Sequence, residues 1–273
     1  MEITVLPISV VCYDNIDEIK NFAIGLSKQS IADKLIYLVT CNKCEEKNKL
    51  KEELDRTGIA YKVYEPKKNL GYLHGCLYGL KKYSKTHPYV WAMITNTDVT
   101  FSEEDFFEHA VTDDSKDESW CIAPNISTAD EGILQNPFMT HRASKSKILF
   151  YNAVFSNKIF FSTYINLSLM KRKILRSENE RSDEEIYAAH GSCFFLKRDC
   201  VEAIIKNRDS IFMYAEEYLI AEIIRENKKE VSYNKNIHAI HHESQITGKV
   251  KYGKKQRWFK NSFRYIYKRF YKN

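Results

Sequence analysis

Residues 3–12, ITVLPISVVC, form an almost unbroken apolar, β-rich run, the pattern of a strand buried on both faces, with Pro7 marking its true start. Residues 15–29 then carry apolar side chains at positions 16, 19, 22, 23 and 26, a helical spacing, with Asn15 or Asp14 as the cap. KLIYLVT (34–40) predicts a second strand, the charged stretch 44–57 a helix, and TGIAYKVYE (57–65) a turn and a third strand. NLGYLHGCLYGLKKYS (69–84) reads as a glycine-punctuated loop entering a helix. YVWAMI (89–94) reads as a fourth strand ending at TNTDVTF. SEEDFFEHAV (102–111) predicts a helix capped by Ser102, with Asp105 at its third position.

The first hundred residues thus alternate strand and helix, which predicts a doubly wound, mostly parallel sheet in an α/β protein. Such sheets bind ligands beyond the carboxyl ends of their strands, and TNTDV sits at such an end. Downstream, SWCIAPNIS (119–127) predicts a strand, and 129–147 an irregular stretch. Residues 148–176 predict one or two aromatic-rich helices, facing an acceptor or a membrane. YAAHGSCFFLKRDCVEAII (187–205) predicts a strand, a turn and a helix; IFMYAEEYLIAEIIRE (211–226) predicts a helix; EVSYNKNIHAIHHES (230–244) predicts a late strand entering a histidine cluster. With no repeat and no low-complexity linker, one domain with insertions fits better than two.

At 273 residues the chain can bury a sizeable core, and its low Pro and Gly content excludes fibrous and disordered classes. No run reaches the roughly 18 apolar residues of a membrane span. The amino terminus lacks the basic flank and small-residue cleavage site of a signal peptide and reads as a strand. Seven cysteines, an odd number, argue for reduced thiols in a cytosolic setting. Cys41 and Cys44 have CxxC spacing (CNKC), but a second CxxC or a histidine partner at ligand spacing is missing, which weighs against zinc or redox chemistry. The net charge is +6, and residues 249–273 carry ten Lys or Arg and no acid, so the body alone is slightly acidic at −4.

Five segments offer chemistry or binding. Asp98, just past a buried strand, can hold a divalent metal that in turn holds phosphate oxygens, or it can cap a turn. Glu216 and Glu217 point in different directions on a helix; one can act as a base while the other orients a neighbour, or both can simply favour a helix N-terminus. Of His241 and His242 on a strand, at most one faces inward. His238 completes that cluster. In NLGYLHGCLYG, Gly71, Gly75 and Gly79 lie four apart. This is neither a dinucleotide fingerprint nor a Walker loop, and it suits close helix packing equally well. The tail, where basic residues interleave with Trp258, Phe259, Phe263, Tyr265, Tyr267, Phe270 and Tyr271, suits a membrane surface or a helix docked on the body; nucleic acid ranks below both.

Taken in order, these segments resemble the inverting, GT-A fold glycosyltransferases of family 2, especially bacterial rhamnosyltransferase-like enzymes, over residues 6–247. PISVVCYDN resembles the first nucleotide-binding strand and loop, which places Cys12, Tyr13 and Asp14 at the donor. NLGYLHGCLYG resembles the family's Asn-x-Gly segment, which adds Asn69, Gly71 and His74. ITNTDVTF resembles the NPDV form of the DxD motif, with Thr97 in place of Pro. It implies Asn96 at the donor and Asp98 as metal and diphosphate ligand. IFMYAEEYLIAEI resembles the F-x-Y-x-E-D/E segment, so Glu217 falls on the catalytic base and Glu216 on its neighbour. IHHES resembles the late histidine motif, with His242 near metal and diphosphate. HGSCFFLKRDC resembles the strand before the acceptor-side helix. The second strand departs from the pattern: Thr40 or Cys41 stands where an Asp usually contacts the nucleotide.

The resemblance implies a GT-A domain over 1–248, with a nucleotide-sugar half (1–100), an acceptor-side half (101–248), a helical insertion at 141–178, and the basic tail 249–273. It implies transfer of a sugar, with inversion, from dTDP-rhamnose or a UDP-hexose to a hydroxyl of a growing surface glycan of O-antigen or capsule type. Mn2+ or Mg2+ is the implied cofactor. Partners are the nucleotide-sugar donor, a glycan or lipid-linked glycan acceptor, and a membrane surface reached through the tail; a homo-oligomer is compatible and nucleic acid is not expected. The implied place is the cytoplasm, peripheral on the inner face of the plasma membrane. A sugar nucleotidyltransferase is the alternative, though CYDNIDE lacks its Gly-rich basic loop. A non-catalytic glycan- or nucleotide-binding protein would leave Asp98, Glu217 and His242 apart in space.

Overall fold

A computed structural model describes residues 5–111, 118–174, 185–207, 211–243 and 252–272. The first residues of the predicted opening strand, the end of the 141–178 stretch and residues 244–251 lie outside the described residues.

A single sheet forms the spine, in the order β3-β2-β1-β4-β8-β6-β9-β5, with the short β7 (Glu185–Ile186) paired to β9. Strands β1 (Leu6–Tyr13), β2 (Leu35–Lys43), β3 (Tyr61–Tyr64) and β4 (Trp91–Thr95) are mutually parallel. Strand β6 (Ser119–Thr128) and β9 (Glu230–His241) run the same way, while β5 (Val99–Phe101), β7 and β8 (Cys193–Lys197) run against them. The predicted doubly wound, mostly parallel sheet is therefore the observed one. Pro7 is tolerated in central β1 because pairing with β4 begins only at Ile8.

Alternate residues of each strand feed two cores, as the two-residue side-chain period requires. Ile8, Val10, Tyr37 and Val39 pack with α1 (Ile16–Ser27), α2 (Lys47–Asp55) and α4 (Phe106–Val111). Ile36, Leu38, Ala92 and Ile94 pack with α3 (Tyr72–Tyr83), α7 (Arg198–Lys206) and α8 (Glu216–Glu226). The second core extends into α5 (Lys145–Ser156), α6 (Lys158–Ile174) and α9 (Tyr252–Ile266). The aromatic stretch 148–176 is thus two helices, and the first of them starts inside the segment predicted irregular, at a Ser144 cap that accepts from the Lys147 N–H. No helix among the described residues is long and apolar enough to cross a membrane.

Two expectations change. The predicted cap Ser102 does not start a helix. Its N–H donates to the His238 carbonyl and its hydroxyl bonds His238 Nδ1 at 3.0 Å, extending the β5–β9 pairing, and α4 begins only at Phe106. Asn15 stands at the N-cap of α1 but makes no capping bond. Its amide instead reaches Thr97 and Glu18.

The basic tail docks. Phe259 stacks on Tyr214 at 4.0 Å, Phe263 packs edge-on against Tyr151, Phe155 and Tyr218, and Trp258 meets Phe212. Arg269 then forms a two-bond ion pair with Glu226. Of the two readings of the tail's aromatics, docking is what these contacts describe.

Candidate active site

The chain order changes side between β1 and β4: after β1 it builds β2 and β3 on one flank, then returns to place β4 on the other. This is a topological switch point, where open α/β sheets hold ligands. Asn15 bridges it, donating to Thr97 Oγ1 at 3.0 Å, and Thr97 donates onward to Glu18 Oε2 at 2.9 Å. Thr97, which replaces the proline of the resembled motif, therefore ties the β4 turn to the start of α1.

Asp98 lies on that turn. Pairing of β5 with β9 puts Val99 opposite His241, and the His242 N–H donates to the Asp98 carbonyl. In consequence His241 Nε2 stands 3.3 Å from Asp98 Oδ1, each side chain only 10% exposed. His242 points the other way, to Thr100 Oγ1 at 2.9 Å on the exposed face. The structure thus brings His241, not His242, to Asp98. Alternation explains the choice: Ile237, Ala239 and His241 share the buried face.

The second ring nitrogen of His241 is held by Gln135. Gln135 Nε2 donates to Glu243, which leaves Gln135 Oε1 to accept from His241 Nδ1 at 2.8 Å. With a proton on Nδ1, the ring turns Nε2 toward a carboxylate oxygen, with the Asn96 amide at 3.4 Å. Two acceptors this close are stable with a proton or a cation between them. One carboxylate and one imidazole, oriented by an outer pair, suit a divalent cation whose other positions go to phosphate and water. The donor set fits Mn2+ or Mg2+.

Glu216 and Glu217 open α8. Tyr214 and Ala215 before them both take left-handed backbone, at φ 65°. The helix is held from outside: Ser262 donates to the Met213 carbonyl at 2.8 Å, and Tyr214 is stacked on Phe259. Gly71, at φ 78°, lies so close that a Cβ there would sit 1.8 Å from the Phe212 carbonyl oxygen. Asn69 caps the same turn by accepting from the Gly71 N–H, and Asn42 holds both Leu70 N–H and the Gly71 carbonyl.

Both glutamates lie along Gly191. A Cβ at Gly191 would sit 2.7 Å from Glu217 Oε1 and 3.3 Å from Glu216 Cγ. The residues are partly exposed, but the carboxylates are enclosed, with Glu216 Oε2 fully buried and making no hydrogen bond. Burial pushes Glu217 up to about 7, opposed by its own and the Gly191 backbone N–H groups. Burial, then the Glu217 charge, pushes Glu216 up to about 8. Glu217 also borders a cavity of about 10 Å³ lined by Ala188, Phe194, Ile220 and Val231, room for about one water.

The turn His190–Ser192 joins the two clusters. The Asn96 N–H and the Thr95 hydroxyl both donate to the Ser192 carbonyl, and the Tyr72 hydroxyl donates to the Gly191 carbonyl. His190 Nδ1 lies 2.9 Å from Ser192 Oγ, and its ring centroid lies 5.9 Å from that of His241. Sequence reasoning passed over His190 and Gln135, and of the His241–His242 pair it placed His242 near the metal. The HGS tripeptide was the available signal for His190.

The other predicted donor residues have mixed placements. Tyr13 is 45% exposed at the end of β1 and His74 is half-buried on the first turn of α3. Asp14 is bound up with Lys43 and the Glu45 N–H, and Lys43 holds its carboxyl below the usual range. Thr40 is fully buried beneath α3, where Gly79 allows contact, and Cys12 is fully buried in the core. Neither Thr40 nor Cys12 presents its side chain at the surface. Gly75 and Gly79 face Val11 and Thr40, so the four-residue spacing serves helix packing.

No family profile matches the chain, and no curated protein matches it in sequence. Solved structures do match in fold. The mannosyltransferase PcManGT from Pyrobaculum calidifontis, determined with GDP-Man and Mn2+, superposes with a TM-score of 0.56 at 12% identity, over 90% of this chain and 59% of that one. GalNAc-T7, determined with UDP, GalNAc and Mn2+, gives 0.57 at 11% identity, over 88% and 43%. TarS of S. aureus (residues 1–349), determined with UDP, gives 0.54 at 12% identity, over 89% and 61%. The chain has a GT-A-type fold and spans about two fifths to three fifths of the length of these three chains.

Proposed function

We propose that this protein is an inverting glycosyltransferase that moves a sugar from a nucleoside diphosphate sugar to an acceptor hydroxyl. One observation carries the reading. At the switch point of a GT-A-type sheet, a carboxylate–imidazole pair (Asp98 and His241) and a pair of enclosed carboxyls (Glu216 and Glu217) meet on one turn, His190–Ser192.

Asp98 and His241 would hold Mn2+ or Mg2+, which when bound offsets the negative charge gathering on the leaving diphosphate. Gln135 keeps the His241 lone pair aimed at that position. Glu217 is the base. Burial raises its carboxyl above the ordinary carboxylate range while the Gly191 N–H favours its charged form, which suits it to accept a hydroxyl proton. Burial and the Glu217 charge raise Glu216 as well, which disfavours ionising both at once. The acceptor oxygen attacks the anomeric carbon opposite the leaving diphosphate as Glu217 takes its proton. One displacement inverts the centre.

The resemblance to family 2 points to dTDP-rhamnose or a UDP-hexose as donor and to a surface glycan as acceptor. A lipid-linked acceptor would suit the apolar side chains that α5 and α6 expose, Phe150, Ile159, Phe160 and Leu167. A panel of nucleotide sugars, scored for transfer and hydrolysis with and without Mn2+ or Mg2+, tests class, donor and metal together. Glu217→Gln should lower transfer by about 10²–10⁴-fold while donor binding survives, and Asp98→Ala should remove metal-dependent donor binding. Full turnover of Glu217→Gln, or a metal-independent wild type, would refute the respective role.

A further inference from the structure

The CNKC segment lacked a third ligand in sequence, and the fold supplies one. In the parallel β1–β2 pair Cys12 stands in register with Cys41, so both thiols leave the sheet on the same face. The register then slips, with Tyr13 opposite Lys43. Such a bulge re-aims side chains. Asn42 turns to the opposite face to hold Leu70 and Gly71, and the chain brings Cys44 back over Cys12 and Cys41. All three sulfurs lie within 4.8 Å of one another. Among the described residues no other three ligand side chains come together in this way.

We propose that Cys12, Cys41 and Cys44 form a three-thiolate site for one thiophilic cation of the Zn2+ kind. Zn–S bonds of about 2.3 Å set tetrahedral S···S separations near 3.8 Å, so the thiols need to draw in by about an ångström at most. Soft sulfur donors select such ions over Mg2+ or Mn2+, which keeps this site chemically separate from the Asp98–His241 pair. Binding breaks three S–H bonds, forms three metal–sulfur bonds and releases three protons to solvent, with no change of oxidation state. The fourth position goes to water.

Cys44, on the loop after β2 and 9% exposed, is the entry side. The cation would clamp the ends of β1 and β2, immediately behind the Tyr13–Asn15 loop that bridges the switch point.

The test uses the whole reduced protein, stripped with chelator and given Zn2+ alone, then Co2+ alone. The expected result is one zinc per chain, release of about three protons, and a thiolate-to-cobalt charge-transfer band. Cys44→Ser, at the rim and least able to disturb the core, should weaken zinc binding by more than about 100-fold, beyond what outer-shell changes cause. Cys12→Ser should do the same, while Asp98→Ala should leave stoichiometry and the cobalt band unchanged. Less than a tenth of an equivalent of zinc on folded wild type would overturn the proposal. So would zinc binding that survives in Cys44→Ser.

Discussion

Replacing Glu216 by glutamine should make the protein more stable in mild alkali than in mild acid, relative to wild type. The side chain opens α8 beside a second carboxylate, with one oxygen buried and no hydrogen bond to it. Its carboxyl is pushed up to about 8, by burial first and the Glu217 charge second. Below about pH 4.5 both folded and unfolded chains hold the proton, and the group contributes nothing to pH dependence. Above that, the unfolded chain releases its proton while the folded chain keeps it until about pH 8. Each pH unit in this window therefore favours unfolding, by up to about 1.4 kcal/mol. Across the window the ceiling is about 5 kcal/mol. Because the Glu217 charge and relaxation of the helix end share the effect, about 2–3 kcal/mol is the expected size. Glutamine keeps the shape and loses the titration, but leaves a buried amide costing about 1–2 kcal/mol. The variant should thus be less stable than wild type at pH 5 and more stable at pH 8. Urea unfolding at four pH values between these limits measures the crossing. A difference that stays constant with pH would refute the claim that this carboxyl is held protonated.

Three further outcomes follow from the geometry. His241→Ala should abolish Mn2+-dependent binding of a nucleoside diphosphate by calorimetry, and His242→Ala, whose ring faces Thr100, should leave it intact. Gly71→Ala meets both a left-handed backbone and the Phe212 carbonyl at 1.8 Å, so it should cost more than about 3 kcal/mol in thermal or urea unfolding. Gly58→Ala, at a similar φ of 74° with open space around it, should cost only about 1 kcal/mol. Phe259→Ala, which removes the half-buried ring under Tyr214, should lose about 2–3 kcal/mol of stability and lower turnover more than donor binding, read by kcat against donor Kd.

The alternating first hundred residues were legible because each strand feeds two cores and so is apolar throughout, while each helix has one apolar stripe. The position of Asp98 at a strand end was legible, but position alone suited a turn cap equally well, and only the order of the motifs pointed to a metal. What the sequence hid was register. Whether His241 or His242 faces Asp98 depends on β9 pairing with β5 across some 140 residues, although Ile237, Ala239 and His241 do mark one face at a spacing of two. The third thiol was hidden for the same reason, since Cys12 meets Cys41 only through strand pairing. Ser102 misled because a serine before acidic residues signals a cap, whereas its hydroxyl was already committed to His238. In the tail, Phe259, Phe263 and Ile266 lie at helical spacing on one face, the stripe that fits the docked-helix reading of the two the sequence offered.

That docking explains how two enclosed carboxyls persist without a basic partner among their bonds. A helix start with two left-handed residues and two buried acids is locally unfavourable on both counts. It holds because two distant parts of the chain, the Gly71 loop and α9, fix it through four contacts. Gly71 abuts Phe212, Ser262 takes the Met213 carbonyl, Phe259 covers Tyr214 and Phe263 covers Tyr218. One turn further along α8, buried Glu222 does have its partners: Arg142, Arg225 and the Tyr187 hydroxyl, with Arg142 also donating to the Phe270 carbonyl and lying over the Tyr271 ring. The same helix thus carries one acid fully compensated for anchoring and two left under-compensated, their protons held near neutral pH. Removing compensation at Glu222 would only loosen the helix. Adding it at Glu216 or Glu217 would lower their proton affinity and take away the one property that suits Glu217 to accept a proton from a hydroxyl.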